Sequence, residues 1–110
     1  MSEAIDPNDS VEFIYRTAPR YAKAKSERIY LEEFRKTKKA LLMSASGENS
    51  IAAQEREAYA HTEYQTLLGG LRAAVEDEET LRWHLIAAQA RIEIWRTQSA
   101  NNRGMDRATQ

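Results

Sequence analysis

The fold follows from the stretch YQTLLGGLRAAVEDEETLRWHLIAAQARIEIWRTQS, residues 64–99. Its apolar residues recur at alternating steps of three and four, which is the heptad spacing of a coiled-coil helix. The repeat positions are Tyr64, Leu67, Leu71, Ala74, Glu78, Leu81, Leu85, Ala88, Ile92, Trp95 and Ser99. Because the phase is the same on both sides of Gly69-Gly70, the pattern predicts one continuous helix. A hinge, or a point where a neighbouring backbone needs room, is the alternative explanation of the two glycines.

A second long helix is predicted over residues 20–45, because this range has no Gly or Pro and carries apolar residues at helical spacing. The predicted core-facing stripe consists of Tyr30, Leu31, Phe34, Thr37, Leu41 and Leu42. Upstream, Asp9 and Glu12 have the spacing of a capping box, which predicts a short helix. We expect Pro19 to end that helix and to begin the long one, because a proline is favourable only in the first turn.

Two breaks divide the remaining chain. The run SASGENS, residues 44–50, predicts the end of the first long helix, with Gly47 as its stop. A short helix over residues 51–60 is expected to follow, capped by Asn49 or Ser50. The capping spacing recurs in Thr62 and Gln65, which therefore predict the start of the last helix.

Both ends of the chain lack apolar periodicity. Residues 1–8 and 101–110 are therefore predicted to be disordered, which leaves a single helical-hairpin domain over residues 9–100. The predicted fold class is all-α: a long, antiparallel, coiled-coil-like helical hairpin with a short helix in the connection.

The last helix is apolar on two opposite sides, and a hairpin partner covers only one of them. One side carries Leu81, Leu85, Ala88, Ile92 and Trp95, and the other carries Trp83, Ile86, Ala87, Ala90 and Ile94. We therefore expect a homodimer assembled as a helical bundle. Its predicted oligomer or partner interface comprises Trp83, Ile86, Ala90, Ile94, Leu85, Ile92 and Trp95. In the alternative, the segment 51–60 or the N-terminal helix folds back over the second side.

Charge is balanced overall, with 16 Lys and Arg against 17 Asp and Glu, but it is unevenly distributed. Residues 20–45 are basic and residues 76–79 (EDEE) are acidic, so in an antiparallel hairpin opposite charges would face each other and fix its orientation. Five basic residues are predicted to share one helix face: Lys25, Arg28, Arg35, Lys36 and Lys39. They fit a solvated face with pairs such as Arg28 with Glu32, or, alternatively, a stripe that contacts the phosphates of DNA or RNA.

Residue patterns for catalysis or cofactor binding are missing from the sequence. There is no Cys, no phosphate-binding loop and no nucleophile motif, so we expect no enzymatic activity, no cofactor and no metal. Glu57 and His61 are spaced to bind one metal ion, but nothing supplies further ligands, and His61 is better explained as a helix-end residue. We interpret His84 as a polar contact near Arg91 and Trp95. The tyrosines and tryptophans are interpreted as packing anchors at helix seams.

Three segments carry a resemblance to known proteins: AKAKSERIYLEEFRK at 22–36, AAQEREAYA at 52–60 and LRWHLIAAQARIEIWR at 81–96. Over about residues 18–103 the sequence resembles small helical proteins encoded by temperate phages and prophages, often near recombination or replication genes. The resemblance implies a non-enzymatic accessory protein that works in the host cytoplasm. It supplies no functional residues that can be transferred to this chain.

The leading hypothesis is a homodimeric coiled-coil interaction protein that binds a partner in phage DNA recombination or replication, or inhibits a host enzyme. The alternative is direct binding to the DNA or RNA backbone through the basic helix 20–45. No apolar run approaches the roughly 20 residues needed to span a bilayer, so a cytoplasmic location and no membrane partner are expected.

Overall fold

The computed structural model describes residues 5–109, and their regular structure is entirely helical. Helix α1 spans Pro7–Ser44, α2 spans Ile51–Ala60 and α3 spans Thr62–Thr109. Two long helices joined by a short one confirm the predicted all-α helical hairpin.

Helix α1 begins at Pro7, ahead of the predicted cap at Asp9. The side chain of Asp6 accepts a hydrogen bond of 2.9 Å from the backbone N–H of Asn8, and Pro7 occupies the first helical position. A proline at this position costs no intrahelical hydrogen bond, because a backbone N–H in the first turn has no partner within the helix. The capping box predicted at Asp9 is therefore wrong, because Asp6 and Pro7 already provide the start signal. Residues 7 and 8 are helical, and residues 1–4 of the predicted disordered segment lie outside the described residues.

Pro19 does not interrupt α1, which continues through it to Ser44. The predicted boundary was therefore wrong. Although an interior proline costs a helix about 3 kcal/mol, Pro19 is exposed, while Thr17 is buried and Tyr21 half-buried on either side of it. Packing of these two neighbours holds the helix together where local propensity alone would end it.

The heptad positions predicted for α3 form its inward face. Tyr64, Ala74, Glu78 and Ala88 are buried, and the other predicted positions are half-buried, with the exception of Trp95. Trp95 is 39% exposed because α1 begins at Pro7, and its first turns lie beside Ala88 and Arg91. Helix α3 is continuous through Gly69-Gly70, as predicted.

The inward face of α1 differs from the stripe predicted for it. Leu31, Phe34 and Leu42 are half-buried as expected, whereas Tyr30, Thr37 and Leu41 are exposed. The inward positions instead follow their own heptad repeat, which consists of Ser10, Ile14, Thr17, Tyr21, Ala24, Arg28, Leu31, Arg35, Lys38 and Leu42. Small and charged residues occupy many of these positions, so a search for large apolar residues selects the wrong stripe.

The two connections are closed by side-chain caps. Ser50 accepts a hydrogen bond of 3.1 Å from the N–H of Ala53 and caps α2, which confirms one of the two predicted caps. His61 ends α2 and begins α3: its N–H donates to the carbonyl of Ala58, and its Nδ1 accepts from the N–H of Glu63 at 3.0 Å. The start signal predicted for Thr62 therefore belongs to His61, because the imidazole takes the acceptor role of a capping side chain.

The chain forms two compact units. Unit 1 contains the described parts of Met1–Tyr21 and Thr80–Gln110, and unit 2 contains Ala22–Glu79. In unit 2 α1 and α3 run antiparallel, because Arg28 pairs with Glu78 and Lys38 pairs with Glu63, and in unit 1 the two helices are in contact through Phe13 and His84. The single domain predicted over residues 9–100 stays a prediction.

Helix α3 extends to Thr109, so the segment 101–109 that was predicted to be disordered is helical. Its side chains from Asn101 to Ala108 are exposed. The prediction failed because it relied on apolar periodicity, whereas this segment simply continues an established helix, and adding residues to a helix is easier than nucleating one.

Replacing Gly69 or Gly70 with Ala is expected to stabilise the protein. A Cβ at either position would meet nothing within 4 Å, so no neighbouring backbone requires the glycines. Each substitution should raise the free energy of unfolding by about 0.5–1 kcal/mol, measured by thermal unfolding at one fixed protein concentration. The reverse change at exposed Ala73, Ala73→Gly, is the control and should lower it by a similar amount. Destabilisation by Gly69→Ala would show that the glycines serve a close approach within an assembly.

Candidate interaction surfaces

The side of α3 opposite its inward face is exposed along unit 1. We call this surface the outer face; it consists of Thr80, Trp83, Ile86, Ala87, Ala90, Ile94 and Thr97. Trp83 is 58% exposed and Ile94 is 48% exposed. The alternative in which another segment folds back over these residues is wrong for the described part of the single chain. A stripe of small and apolar side chains, with Trp83, Ile86 and Ile94 as its large members, is therefore open to solvent.

The structure separates the seven residues predicted for an oligomer interface. Trp83, Ile86, Ala90 and Ile94 lie together on the outer face. Leu85 and Ile92 are half-buried on the inward face, so they contribute to the hairpin and are not available to a second molecule. Trp95 occupies an inward heptad position but remains partly exposed.

The outer face has a second heptad repeat, and its residue types are palindromic. The repeat runs through Thr80, Trp83, Ala87, Ala90, Ile94 and Thr97 at alternating steps of three and four. Reading from either end gives a threonine, a large apolar residue and an alanine. This palindrome is present in the sequence, but it was not predicted. The symmetry becomes visible only when the residues of the inward face, which the structure identifies, are left out of the pattern.

A partly buried ion pair joins α1 to α3 in unit 2. Arg28 donates through Nη2 to Oε1 of Glu78 at 3.0 Å and through Nε to the other carboxylate oxygen. Its Nη1 lies 3.1 Å from both carboxylate oxygens of Glu32. The hydrogen bonds to Glu78 and then Glu32 raise the pKa of Arg28 above its ordinary value. Because the side chain of Glu78 is only 8% exposed, the pair fixes which turns of the two helices face each other.

Two further ion pairs connect α1 to its neighbours in unit 2. Lys38 lies 3.1 Å from Glu63 of α3, and its hydrogen bond lowers the pKa of Glu63. Lys39 lies 3.0 Å from Glu55 of α2, and the hydrogen bonds with Tyr59 and then Glu55 raise the pKa of Lys39. The predicted pairing of basic residues of α1 with acidic residues across the hairpin is therefore present. In the acidic run at residues 76–79, Glu78 is the residue that pairs with Arg28.

The five basic residues predicted as a phosphate-contacting stripe are not one open face. Arg28 is paired with the carboxylates of Glu32 and Glu78, and Lys25 is exposed at a position outside the pocket that the other three share. The other three, Arg35, Lys36 and Lys39, line one pocket together with Tyr59 and Tyr64. The two tyrosines were not predicted as members of this site, because they lie on α2 and α3 and the predicted stripe was confined to α1.

The histidines have structural surroundings. His84 contacts Phe13 edge-on, with ring centroids 6.4 Å apart, and shares a shallow pocket with Arg91 as predicted. The ring that His84 contacts is thus Phe13, in place of the predicted Trp95. Glu57 accepts a hydrogen bond of 2.7 Å from the hydroxyl of Ser46, and His61 is the helix cap described above. Within residues 5–109 no cluster of three or more metal-ligating side chains occurs.

Most aromatic residues lie at the surface and are not the seam anchors that we predicted. Tyr64 is buried and packs edge-on against Tyr59, with ring centroids 5.3 Å apart. Tyr15, Tyr30 and Trp83 are exposed, and Arg82 lies over the Trp83 ring at 5.1 Å. The hairpin seam contains few large rings because its α1 side is built from small and charged residues.

Comparison of the chain with family models, with curated proteins and with solved structures gives no match in any of the three cases. The resemblance to phage-encoded helical proteins therefore stays a prediction. Among the described helices, none is both long and apolar enough to cross a bilayer.

Proposed function

We propose that this protein is a non-enzymatic, homodimeric interaction protein that associates through the outer face of α3. The observation that carries the proposal is the exposed, palindromic stripe centred between Ala87 and Ala90. Burial of a side chain such as Trp or Ile is worth roughly 1.5–3 kcal/mol, so the uncovered stripe represents a large free energy available to association.

The interior of the single chain supports the same proposal. Among the described residues, no large side chain is fully buried, and the buried apolar residues are Ala58, Tyr64, Ala74 and Ala88. Small helical proteins with thin cores commonly gain the missing stability from oligomerisation. A second copy on the outer face would supply it.

The palindrome favours an antiparallel pair of α3 helices. About a two-fold axis between Ala87 and Ala90, Ala87 of one copy faces Ala90 of the other, and Trp83 faces Ile94. The two alanines let the helices approach closely at the centre, while the large residues fill the space on either side. A parallel pair would set Trp83 against Trp83 at one end and Ile94 against Ile94 at the other, whereas the antiparallel pair sets one Trp against one Ile on both sides of the axis and so keeps the width of the interface even.

Cysteine cross-linking tests both the dimer and its direction, because the natural chain contains no Cys. Thr80→Cys protein mixed with Thr97→Cys protein is expected to form a disulfide-linked dimer under mild oxidation. Each variant alone should not, because the two identical cysteines would lie about 25 Å apart in an antiparallel pair. Cross-linking of Thr80→Cys alone would indicate a parallel pair, and no cross-link in the mixture would contradict the dimer.

The partner and the location are part of the same proposal. A dimer that uses its outer face for self-association still presents exposed side chains on α1, including Tyr15 and Tyr30, to a further protein. The resemblance to phage proteins favours a partner in DNA recombination or replication, or a host enzyme that is inhibited, in the host cytoplasm. Affinity capture with wild-type protein and with a variant altered at Tyr15 and Tyr30 tests this point.

A further inference from the structure

A basic pocket lies within unit 2 and shares no residue with the outer face of α3. It has a volume of about 460 Å³ and is lined by Arg35, Lys36 and Lys39 of α1, Tyr59 of α2 and Tyr64 of α3. All three helices of the chain contribute to it, and the hairpin connection brings the two tyrosines beside the basic residues. The pocket therefore exists only in the folded chain.

Arg35 distinguishes this pocket from an ordinary charged surface. It is half-buried at an inward heptad position of α1, as are Arg28 and Lys38. Arg28 pairs with Glu78 and Lys38 pairs with Glu63, but for Arg35 the structure gives no carboxylate partner among residues 5–109. The donors of the Arg35 guanidinium are therefore not taken by a carboxylate of the described residues, and an anionic ligand in the pocket would accept them.

The other lining residues complete an anion site with an aromatic wall. Lys36 pairs with Glu33 at 3.5 Å, with both side chains exposed, so this contact yields readily to a ligand. Lys39 lies over the Tyr59 ring, 4.6 Å from its centroid. The ammonium of Lys39 is already paired with Glu55 at 3.0 Å, so Arg35 and Lys36 are the cations that a ligand can engage. Tyr59 is itself 41% exposed, so part of its ring is accessible beside these two side chains.

We infer that this pocket binds the phosphate backbone of single-stranded nucleic acid. The Arg35 guanidinium would take two oxygens of one phosphate in parallel hydrogen bonds, Lys36 would neutralise the neighbouring phosphate, and the exposed part of Tyr59 would stack with the adjacent base. A cationic groove beside an accessible aromatic ring is the usual arrangement for binding single strands without sequence preference. The inference narrows the predicted basic stripe to one site and is independent of the dimer.

Fluorescence anisotropy with a labelled dT10 oligonucleotide tests the inference. We expect binding at 50 mM NaCl that weakens roughly 7- to 20-fold at 200 mM, as neutralisation of two to three phosphates by a protein on a single strand requires. Arg35→Gln should weaken binding about tenfold and reduce its salt dependence. Tyr59→Leu should also weaken it, while thermal unfolding shows that both variants remain folded.

Lys25→Gln is the matched control, because it removes the same charge from an exposed position of α1 outside the pocket. It should leave binding within about twofold of wild type. An equal loss in Lys25→Gln and Arg35→Gln, or no binding at 50 mM NaCl, would overturn the inference. Displacement of dT10 by a phosphopeptide as effectively as by unlabelled dT10 would overturn the assignment to nucleic acid. A monomeric outer-face variant should still bind dT10, which separates this test from that of the dimer.

Discussion

Replacing Arg28 with Met is expected to lower the thermal unfolding midpoint by roughly 5 to 15 °C, because it removes the two hydrogen bonds that the guanidinium donates to the buried carboxylate of Glu78. Glu78→Leu should also destabilise, but less, since Arg28 is the more exposed member of the pair and keeps its contact with Glu32. The double variant, with both residues replaced, is expected to recover most of the loss. Two apolar side chains at facing inward positions pack without any charge to desolvate.

The recovery is the decisive part of this prediction. All variants are to be compared by calorimetry at one protein concentration, because the midpoint of a dimer depends on concentration. Glu76→Leu is the control, since Glu76 is exposed in the same acidic run, and it should change the midpoint by less than about 2 °C. If the two single effects simply add in the double variant, Arg28 and Glu78 are not coupled and the ion pair does not connect the helices.

Charge on the outer face is expected to abolish self-association. Trp83→Glu with Ile94→Glu places four carboxylates in a two-fold interface and removes four large apolar side chains from it. The dissociation constant should rise at least 100-fold, because even two buried side chains at roughly 1.5 kcal/mol each account for such a factor. Sedimentation equilibrium at micromolar concentration should give about twice the 12.6 kDa chain mass for the wild type and a single chain mass for the variant.

Tyr15→Glu provides the control for an added carboxylate, because it places one on a more exposed aromatic position of unit 1 that lies on α1. This variant is expected to remain a dimer. Far-ultraviolet circular dichroism should show that the doubly charged variant retains helix, although its midpoint will be lower once the stabilising partner is lost. A wild-type protein that is monomeric at 50 μM, or a dimer unaffected by both charges, would contradict the proposed interface.

The parts of the fold that were predicted correctly are those that depend on one long repeat. The inward positions of α3 from Tyr64 to Ile92 follow the heptad spacing, and the breaks around α2 follow from small polar residues and the Ser50 cap. Such signals are reliable because many residues contribute to each of them. Isolated signals failed: Pro19 and the capping spacing at Asp9 were each overridden by neighbouring packing or by a competing cap.

The candidate sites were predicted only in part for a related reason. The outer face was recognisable from Trp83, Ile86, Ala90 and Ile94, which lie on one helix. The basic pocket joins residues of α1 to Tyr59 and Tyr64, which lie on other helices. The residue pattern of a single helix cannot predict a contact between residues of different helices. Nor could the sequence distinguish Arg28, which is paired across the hairpin, from Arg35, which lacks a carboxylate partner among the described residues.

Helix content, the hairpin connection and the two apolar sides of α3 follow from the order of the amino acids, because spacing along a single helix fixes which side chains share a face. The relative alignment of α1 and α3 is different. It depends on which small and charged residues of α1 meet which positions of α3. A shift of one helix along the other by a whole turn leaves the same faces in contact, so the periodicity of each sequence cannot distinguish between such alignments. Within unit 2 the Arg28–Glu78 pair selects one alignment, and this alignment places Arg35 beside Tyr59 and Tyr64 without a carboxylate partner among the described residues.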